Sequence, residues 1–462
     1  MAKPWEPLEY QLRAVELLLE RSYAGLLLKP GMRKTSIKLA AFSELQRQGF
    51  ISAGLVIAPL RVIYTSWPNE VKKWEDFNHL SVGILHGKHK AEVLNEKHDL
   101  YLINPEGTPW LFDEALLRRK KWPFDDLTVD ESTKYKHTNT QRFKLLRPHL
   151  KKFKRRTIMT GSPTARHLLD LFGQCFVMDR GESLGPYITK FREEYFFEAG
   201  YDWKPKKGSR EAIYDRLAPR CYYAHDEDWL KLPQLLEKDI PVTLPPKAQA
   251  MYDELEATTR LALSQGKVTA ANVGVVTMKL RQVANGGVYL DGSEKKWQHI
   301  HEAKTEAVCD VLEELSGEAT LITYDFIHDL ERLKRGIKKV TGKEPPHIGR
   351  GGVSPAKLPQ LIAEWSRGEV TEILVQPQSA SLGIDGLQTA GRAVVWASLT
   401  YNAEDYDQLI RRLRRSGQSE RVLVANIIAQ NTVDEAVIAS VRRKDQDQNT
   451  FFMALKEYWS GN

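Results

Sequence analysis

The stretch GLLLKPGMRKT, residues 25–35, decides how the first part of this chain folds. Its apolar half is typical of a buried β-strand, and an apolar-rich helical segment follows Lys34 and Thr35. A strand-to-helix turn of this kind points backbone N–H groups and a lysine ammonium at phosphates, and a threonine hydroxyl at a magnesium ion. The turn departs from the pattern GxxxxGKT, because Leu28 stands at the first glycine and Arg33 at the second. An ordinary loop and helix start is the alternative interpretation.

Short apolar runs rich in β-branched residues recur along the chain and predict parallel sheets with crossover helices, hence the α/β fold class. The predicted strands are 25–28, 54–58, 100–103, 126–129 and 156–159, then 319–323, 372–375, 392–396 and 421–425. Between the two sets, apolar residues follow helical spacing. We therefore expect an α/β lobe over 1–165, a mostly helical insertion or linker over 166–300, and a second α/β lobe over 301–462.

Composition places the chain among globular proteins. Of its 462 residues, 42% are hydrophobic and 27% are charged. No stretch approaches the roughly 18 apolar residues of a membrane span, and the N-terminus lacks an apolar signal core, so we expect a cytoplasmic protein with no membrane partner. Three cysteines lie far apart, which predicts neither a disulfide framework nor a zinc site.

The positive charge is concentrated in short runs. With 67 Lys and Arg against 60 Asp and Glu, the formal net charge is +7. The densest runs are 118–121, 151–156 and 411–415. Such clustering favours a polyanionic partner, and a phosphate track along 151–156 would make binding fall steeply with salt. For any one run, a solvated face is the alternative.

A second candidate for chemistry is the pair Asp130 and Glu131, which follows an apolar strand directly. Two carboxylates are costly to place at the end of a buried strand unless a cation or a reacting water uses them. Asp130 would hold magnesium, and Glu131 would orient and deprotonate the attacking water. A strand end that reaches solvent is the alternative for the pair alone. Together with the phosphate-binding turn, the pair predicts the two halves of a nucleotide hydrolysis site.

The third candidate is the basic segment QLIRRLRRSGQ, residues 408–418. On a helix, Arg411 and Arg412 would each share a face with Arg415, so their guanidinium groups could project together at an anion. Arginine fingers stabilise phosphoryl transfer in this way. A basic helix that contacts nucleic-acid phosphates or only water is the alternative.

In this order, the segments resemble those of the Swi/Snf-type branch of the superfamily two helicases and translocases, and in particular small stand-alone members of bacteriophages and prophages. The matching segments are YQL (10–12), GMRKT (31–35), IAPL (57–60), INPE (103–106), DE (130–131), TGSPT (160–164), KLRQVAN (279–285), SASLGIDGLQ (379–388) and QLIRRLRRSGQ (408–418). They span most of the chain. The resemblance implies two RecA-like parallel-sheet lobes with helical insertions between them.

The resemblance also implies an ATP-dependent DNA translocase or helicase with ATP and Mg²⁺ at its site. The implied catalytic residues are Lys34, Glu131, Arg412 and Arg415. The implied nucleotide-binding residues are Gln11, Gly31, Lys34, Thr35, Asp130, Gly383 and Asp385, with Thr35 and Asp130 on the metal. The implied DNA-binding residues are Pro59, Asn104, Thr160, Ser162, Ser381 and Gln388. The expected partner is duplex or forked DNA, alongside replication or recombination proteins, in phage DNA replication, recombination or repair.

Three positions depart from the pattern of these relatives. Ser132 stands where many of them have histidine, and Arg411 stands where they often have glycine. Arg33 replaces a glycine, and its side chain could crowd the phosphates or add a cation to them. A non-hydrolysing DNA-binding scaffold with a degenerate ATP site is therefore the alternative function, and an RNA-dependent motor is a third.

Overall fold

The structure is a computed structural model that describes residues 2–117, 119, 121–161, 163–164, 168–199, 202–224, 229–230, 232–264, 270–290, 296–354, 357–380, 384, 386–415 and 418–443. Two compact units divide the chain, one over 2–230 and one over 232–443. Within the described ranges, no helix is both long enough and apolar enough to cross a bilayer.

The first unit is built on a seven-stranded sheet. The strands of this unit are β1 (Tyr23–Leu27), β2 (Gly54–Ile57), β3 (Val82–Ile84), β4 (Leu100–Ile103), β5 (Asp126–Asp130), β6 (Arg155–Thr160), β7 (Phe196–Ala199), β8 (Asp202–Pro205) and β9 (Cys221–Tyr222). The sheet order is β3-β4-β2-β5-β6-β1-β9, and each of its pairings is parallel. Strands β7 and β8 form a separate antiparallel hairpin. All carboxyl ends of the sheet strands therefore lie at one edge of the sheet.

Helices connect and cover these strands. They are α1 (Glu9–Glu20), α2 (Lys34–Arg47), α3 (Leu60–Tyr64), α4 (Ser66–Lys73), α5 (Lys90–Asn95), α6 (Gln141–Leu146), α7 (Asp170–Asp179), α8 (Ile188–Tyr195) and α9 (Ser209–Leu217). Shorter turns of 3₁₀ helix occupy Pro105–Gly107, Ser132–Tyr135 and Arg147–Lys152, and a π-helical turn occupies Trp110–Ala115. Strands β2 and β4 are buried along their whole length, which is why they read as continuous apolar runs.

The second unit has a six-stranded parallel sheet. The strands of this unit are β10 (Leu235–Val242), β11 (Gly287–Tyr289), β12 (Trp297–His299), β13 (Thr320–Thr323), β14 (His347–Ile348), β15 (Glu372–Val375), β16 (Ala393–Trp396) and β17 (Val422–Ala429). The sheet order is β10-β17-β16-β13-β15-β14. Strands β11 and β12 pair as an antiparallel hairpin.

The helices of the second unit are α10 (Pro246–Ser264), α11 (Ala270–Asn285), α12 (Ala303–Leu315), α13 (Ile327–Thr341), α14 (Leu358–Ser366), α15 (Pro377–Ala380) and α16 (Ala403–Leu413), with a further helix over 433–443. A 3₁₀ turn occupies Leu387–Thr389. The core lies on both faces of the sheet, and β13, β15 and β16 are buried throughout.

The predicted fold class is confirmed, because the chain forms two parallel, RecA-like α/β sheets and each predicted strand has a counterpart. The segment 166–300 carries helices together with strands β7 to β12, and β9 and β10 extend the first and the second sheet. Strand β10 lies at a sheet edge and exposes Glu237, Lys238 and Asp239, so no apolar run marks it. The domain boundaries at 165 and 300 stay a prediction.

Candidate active site

The phosphate-binding turn joins β1 to α2, which begins at Lys34. Gly31 has φ 90°, and Arg33 has φ 51° and ψ 41°, in the left-handed region that favours glycine. The carbonyl of Arg33 accepts hydrogen bonds from the Ser36 hydroxyl at 2.9 Å and from the backbone N–H of Ile37 at 3.3 Å. The Arg33 side chain is exposed. The backbone therefore follows the path that a glycine would take, although the residue is large.

Helix α1 fixes this turn from one side. The hydroxyl of Tyr10 donates a 3.1 Å hydrogen bond to the carbonyl of Met32, whose side chain is fully buried. Gln11 is also fully buried, and its Oε1 accepts from the backbone N–H of Leu8 at 2.9 Å. The Nε2 of Gln11 is buried without a hydrogen-bond partner. An orphaned donor of this kind is costly in a protein interior, and it fits an acceptor supplied by a ligand.

The carboxyl ends of three neighbouring strands meet at this turn, since the sheet order places β5 beside β6 and β6 beside β1. The ammonium of Lys34 donates a 2.6 Å hydrogen bond to the carbonyl of Leu28. Gly161 follows β6, and a Cβ built on it would lie 2.7 Å from Cδ of Pro30. This close approach requires glycine, so the loop after β6 packs directly on the phosphate-binding turn.

The acidic pair lies at the carboxyl end of β5. Oδ2 of Asp130 accepts from the Trp67 indole at 3.1 Å, and Oδ1 accepts from the backbone N–H of Glu131 at 3.1 Å. Burial is the main cause that raises the pKa of Asp130 to about 6, and the negative charge of Glu131 adds to it. The positive charge of Lys34 opposes this shift. Glu131 has φ 56°, and its Oε2 is buried without a hydrogen-bond partner.

These residues fit a divalent cation. Asp130 is poorly solvated, and the adjacent Glu131 has a buried oxygen without a hydrogen-bond partner. Mg²⁺ would stabilise the negative charge of such a carboxylate pair. Thr35, half-buried in the first turn of α2, and Asp130 are the residues that would hold it. Within the first unit the structure thus brings together the turn, Lys34 and the acidic pair.

A further site residue, Gln174, is missed by the sequence reasoning. Its Oε1 accepts from the Ser132 hydroxyl at 2.8 Å, and its Nε2 donates to the carbonyls of Pro163 at 2.7 Å and Asp170 at 2.8 Å. Gln174 therefore connects the acidic segment after β5 to the loop after β6. Its only signal in the sequence is a polar residue within the otherwise apolar run LFGQCFVM of α7.

Three predicted DNA-binding residues follow strands β2, β4 and β6 at the same carboxyl edge of the sheet. Pro59 is buried and precedes α3, and Thr160 is the fully buried last residue of β6. The amide of Asn104 donates to Glu106 at 2.8 Å, while its Oδ1 is buried without a hydrogen-bond partner. Ser162 lies outside the described residues.

The predicted arginines lie at the end of α16 in the second unit. Arg411 is buried, and its Nε is 2.7 Å from a carboxylate oxygen of Asp407. Arg412 and Arg415 are half-exposed. The expectation that Arg411 and Arg412 each share a helical face with Arg415 is wrong, because α16 ends at Leu413 and the ψ of Arg414, 78°, takes the chain out of the helix.

The other predicted residues of the second unit fall partly outside the described chain. Ser381, Gly383 and Asp385 lie outside the described residues. Gln388 is half-buried in the 3₁₀ turn Leu387–Thr389, where its Oε1 accepts from the backbone N–H of Gly386 at 3.1 Å. Its carbonyl accepts from the amide of Gln418 at 3.0 Å. Gln388 is thus engaged within its own turn.

A buried polar network holds the segment KLRQVAN of α11 at the carboxyl ends of β13 and β16. Arg281 donates to Oδ2 of Asp325 and to the carbonyl of Leu399, both at 2.7 Å. The amide of Asn285 donates to Asp329 at 3.0 Å and to Ser398 at 3.1 Å. The sequence identifies this helix by its family resemblance but does not predict its partners, because those partners are 44 to 118 residues away.

A phosphate-binding turn and an acidic strand end on one parallel sheet, in a chain with two such sheets, define the class of helicase-like ATPases. More narrowly, the chain belongs to the SNF2-related domain family, whose model matches residues 10–286, more than half of the chain. Members of this class use a nucleotide and a metal ion.

Individual proteins share this likeness. Protein p41 of Acyrthosiphon pisum secondary endosymbiont phage 1 is 28% identical over 474 residues, covering 98% of this chain and 99% of its own. The mouse DNA annealing helicase and endonuclease ZRANB3 is 24% identical over 348 residues, covering 72% of this chain and 30% of its own length. A structure of the Sulfolobus solfataricus SWI2/SNF2 ATPase core in complex with dsDNA aligns with 98% of this chain and 95% of its own, at 20% identity and a TM-score of 0.46.

Proposed function

We propose that this chain is a DNA-dependent ATPase that couples ATP hydrolysis to movement along DNA. The observation that carries the proposal is the meeting of Lys34 with Asp130 and Glu131 at one edge of the first sheet. Membership of a family of helicase-like ATPases supports it. Because relatives of the Swi/Snf type generally track along duplex DNA, translocase describes the activity better than helicase.

Each proposed site residue of the first unit has a separate role. The ammonium of Lys34 and the backbone N–H groups beyond Gly31 bind the β- and γ-phosphates, and Gln11 bonds the adenine. Glu131 orients the attacking water and takes its proton. Magnesium, held by Thr35 and Asp130, would neutralise charge on the phosphates.

The second unit supplies the remaining groups. Arg412 and Arg415 stabilise the charge that develops on the γ-phosphate, and Gly383 and Asp385 take part in nucleotide binding. We propose that the DNA backbone is bound by Pro59, Asn104, Thr160, Ser162, Ser381 and Gln388. Cycles of nucleotide binding and hydrolysis then advance the protein along one strand of duplex or forked DNA.

A role in phage DNA replication, recombination or repair, alongside proteins of those processes, belongs to the same proposal. The likeness to phage protein p41 over nearly the full length of both chains supports a phage setting. The name of ZRANB3 describes an enzyme of DNA annealing, which supports DNA as the nucleic acid. This chain spans only 30% of ZRANB3, so the comparison concerns the ATPase core.

The direct test is steady-state ATP hydrolysis with and without duplex, forked and single-stranded DNA, using the wild type and Glu131→Gln. We expect a DNA-stimulated rate that falls about 10²–10⁴-fold in Glu131→Gln, because the general base is lost. Glu114→Gln, a change at an exposed carboxylate outside the site, should keep the full rate. A wild-type rate no higher than that of Glu131→Gln with every nucleic acid would contradict the proposal.

Arg33 favours a second candidate, a DNA-binding scaffold that does not hydrolyse ATP. A large residue stands in the left-handed position of the phosphate-binding turn, where the closest approach of backbone to phosphate is made. A scaffold would bind DNA and give no DNA-stimulated phosphate release. RNA in place of DNA in the same assay separates the DNA motor from an RNA-dependent one.

A further inference from the structure

The two edges of the first sheet carry different groups. The nucleotide-binding turn, the acidic pair and Pro59, Asn104 and Thr160 all lie at or just beyond the carboxyl ends of strands. The amino ends of β5 and β6 lie at the opposite edge, about 15–20 Å away for strands of five and six residues. Groups at the amino edge are therefore separated from the nucleotide-binding turn by the length of the strands.

The segment before and into β6, residues 141–156, is the most basic part of this unit. It reads QRFKLLRPHLKKFKRR, with no Asp or Glu. The structure shows that part of this charge is used internally. Arg155 donates to the carbonyl of Arg21 at 2.6 Å, and Arg156 donates to that of Met178 at 2.7 Å. Lys154 forms an ion pair with Asp125 at 2.9 Å.

Four other cations at this edge form no ion pair with a carboxylate of the described residues, although Arg147 lies 5.0 Å from the centroid of the Phe176 ring and Lys152 lies over Trp122. They are Lys121, which precedes β5, and Arg147, Lys151 and Lys152 of the 3₁₀ turn that precedes β6. We call these four residues the basic edge. Each is exposed, and no carboxylate in the described part of the chain lies within ion-pairing distance of any of them.

The basic edge is held in place by packing. Leu150 is fully buried and anchors the turn, and the ammonium of Lys152 lies 4.5 Å from the ring centroid of Trp122. The ring of His149 stacks on Trp122 at 5.7 Å and on Phe112 at 4.7 Å. The segment before β5 and the turn before β6 therefore form one surface, on which Lys152 is held against Trp122.

Asp113 and Asp125 bring opposing charge to this surface. Burial lowers the pKa of His149 more than the charge of Asp113 raises it, and Asp125 is already paired with Lys154.

The spacing of the cations follows from the 3₁₀ turn, which rises about 2 Å per residue, so Arg147 and Lys152 are about 10 Å apart along its axis. Over that length a DNA duplex presents about six phosphate charges. A row of exposed ammonium and guanidinium groups at this spacing fits a nucleic-acid backbone.

We propose that the basic edge is a second DNA-binding surface, which binds the phosphate backbone of a duplex other than the one at the carboxyl edge. The protein then holds two DNA segments at once. This property goes beyond the proposed motor activity and does not depend on ATP hydrolysis. An acidic protein is the other class of partner that four cations could attract, and the experiment separates the two.

The test uses the full chain and two short duplexes, one labelled with a donor and the other with an acceptor fluorophore. We expect energy transfer between the duplexes when wild-type protein is added. In the variant Lys121→Gln/Arg147→Gln/Lys151→Gln/Lys152→Gln, we expect transfer to be lost and the affinity for the second duplex to fall at least tenfold. The slope of the logarithm of this affinity against the logarithm of salt concentration should become shallower by about 3 to 4, because each lost phosphate contact contributes roughly 0.9.

The matched control removes four exposed cations from the second unit, in Arg335→Gln/Lys338→Gln/Lys339→Gln/Lys343→Gln. This control should keep the energy transfer. The basic-edge variant should also keep its thermal unfolding midpoint and its affinity for a single duplex within twofold. Energy transfer that persists in the basic-edge variant would overturn the proposal, since it would come from association of two protein copies. Absence of transfer in the wild type, as expected of an acidic protein partner, would overturn it as well.

Discussion

The hydroxyl of Ser132 donates a 2.8 Å hydrogen bond to the side-chain carbonyl of Gln174. The amide of Gln174 in turn donates to the carbonyl of Pro163 at 2.7 Å. Ser132 directly follows the acidic pair, and Pro163 lies in the loop after β6, whose last residue, Thr160, is a predicted DNA-binding residue. Both side chains are buried, so each bond would leave an unsatisfied polar group if broken. We infer that Gln174 positions the acidic segment relative to that loop.

The first prediction concerns this connection. Gln174→Leu should lower DNA stimulation of ATP hydrolysis about tenfold, while the rate without DNA changes less, because the loop and the acidic segment no longer move together. Ser132→Ala removes only the first bond and should have a smaller effect. The double variant should be no worse than Gln174→Leu, with a coupling of about 0.5–3 kcal/mol in the activation free energy. Purely additive effects would show that the two side chains act independently.

Gly173 allows α7 to approach the acidic segment. A Cβ on Gly173 would lie 2.4 Å from the carbonyl oxygen of Tyr135 and 2.5 Å from that of Lys136. Gly173→Ala should therefore cost about 1–3 kcal/mol of unfolding free energy and also lower the ATPase rate, since the backbone must shift. Gly49→Ala is the control, because a Cβ there meets no atom within 4 Å and only its φ of 77° is unfavourable. Urea unfolding and ATPase rates measure both effects. An unchanged ATPase rate in Gly173→Ala would contradict the close approach.

Arg33 gives the third prediction. Its backbone already adopts the glycine-like conformation and its side chain is exposed, so Arg33→Gly should change kcat/KM for ATP by less than about threefold. Arg33→Ala keeps the unfavourable φ and removes the charge, which makes it the matched control. A tenfold gain in the glycine variant alone would show that backbone strain limits binding. A loss in both variants would show that the guanidinium binds the nucleotide.

A fourth prediction concerns pH and the second unit. Burial is the main cause that lowers the pKa of His301 to about 4, and the positive charges of Arg332 and Lys304 act in the same direction. The hydrogen bond to the carbonyl of Val283 and the charge of Glu302 oppose this shift. The ring nitrogen Nδ1 accepts from the backbone N–H of Ala303 at 3.2 Å, so the neutral form is the one that fits. An unfolded histidine binds its proton near pH 6.5.

Because the folded pKa of His301 lies below the unfolded value, its contribution to stability is complete above about pH 6.5 and is lost as pH falls toward 4. The loss should be at most about 3 kcal/mol. His301→Gln should reduce the dependence of the unfolding midpoint on pH in this window. Equal pH profiles for wild type and His301→Gln would contradict the prediction.

The strands predicted from the sequence are those buried on both faces, such as β2, β4, β13 and β16, since parallel strands of this kind are continuous apolar runs. The strands β3 and β14, of three and two residues, are too short for a pattern, and β10 is an exposed edge strand. A shared face of Arg412 and Arg415 also requires a helix through Arg415, whereas α16 ends at Leu413.

Within the site, local motifs identify groups that act on a ligand, because phosphate and metal chemistry restricts both residue type and spacing. Lys34, Asp130 and Glu131 are of this kind. Gln174 bonds Ser132, 42 positions away, and Asn285 bonds Asp329, 44 positions away, and no local pattern marks either residue. Their burial as polar side chains is visible only once the helices that carry them are packed.

We propose that ATP hydrolysis drives this protein along DNA. The most direct measurement is displacement of a labelled third strand from a DNA triplex, with the wild type and Glu131→Gln, in the presence and absence of ATP. We expect release of the third strand by the wild type with ATP, and no release by Glu131→Gln or without ATP. ATP hydrolysis stimulated by the same DNA without release of the third strand would contradict movement along DNA.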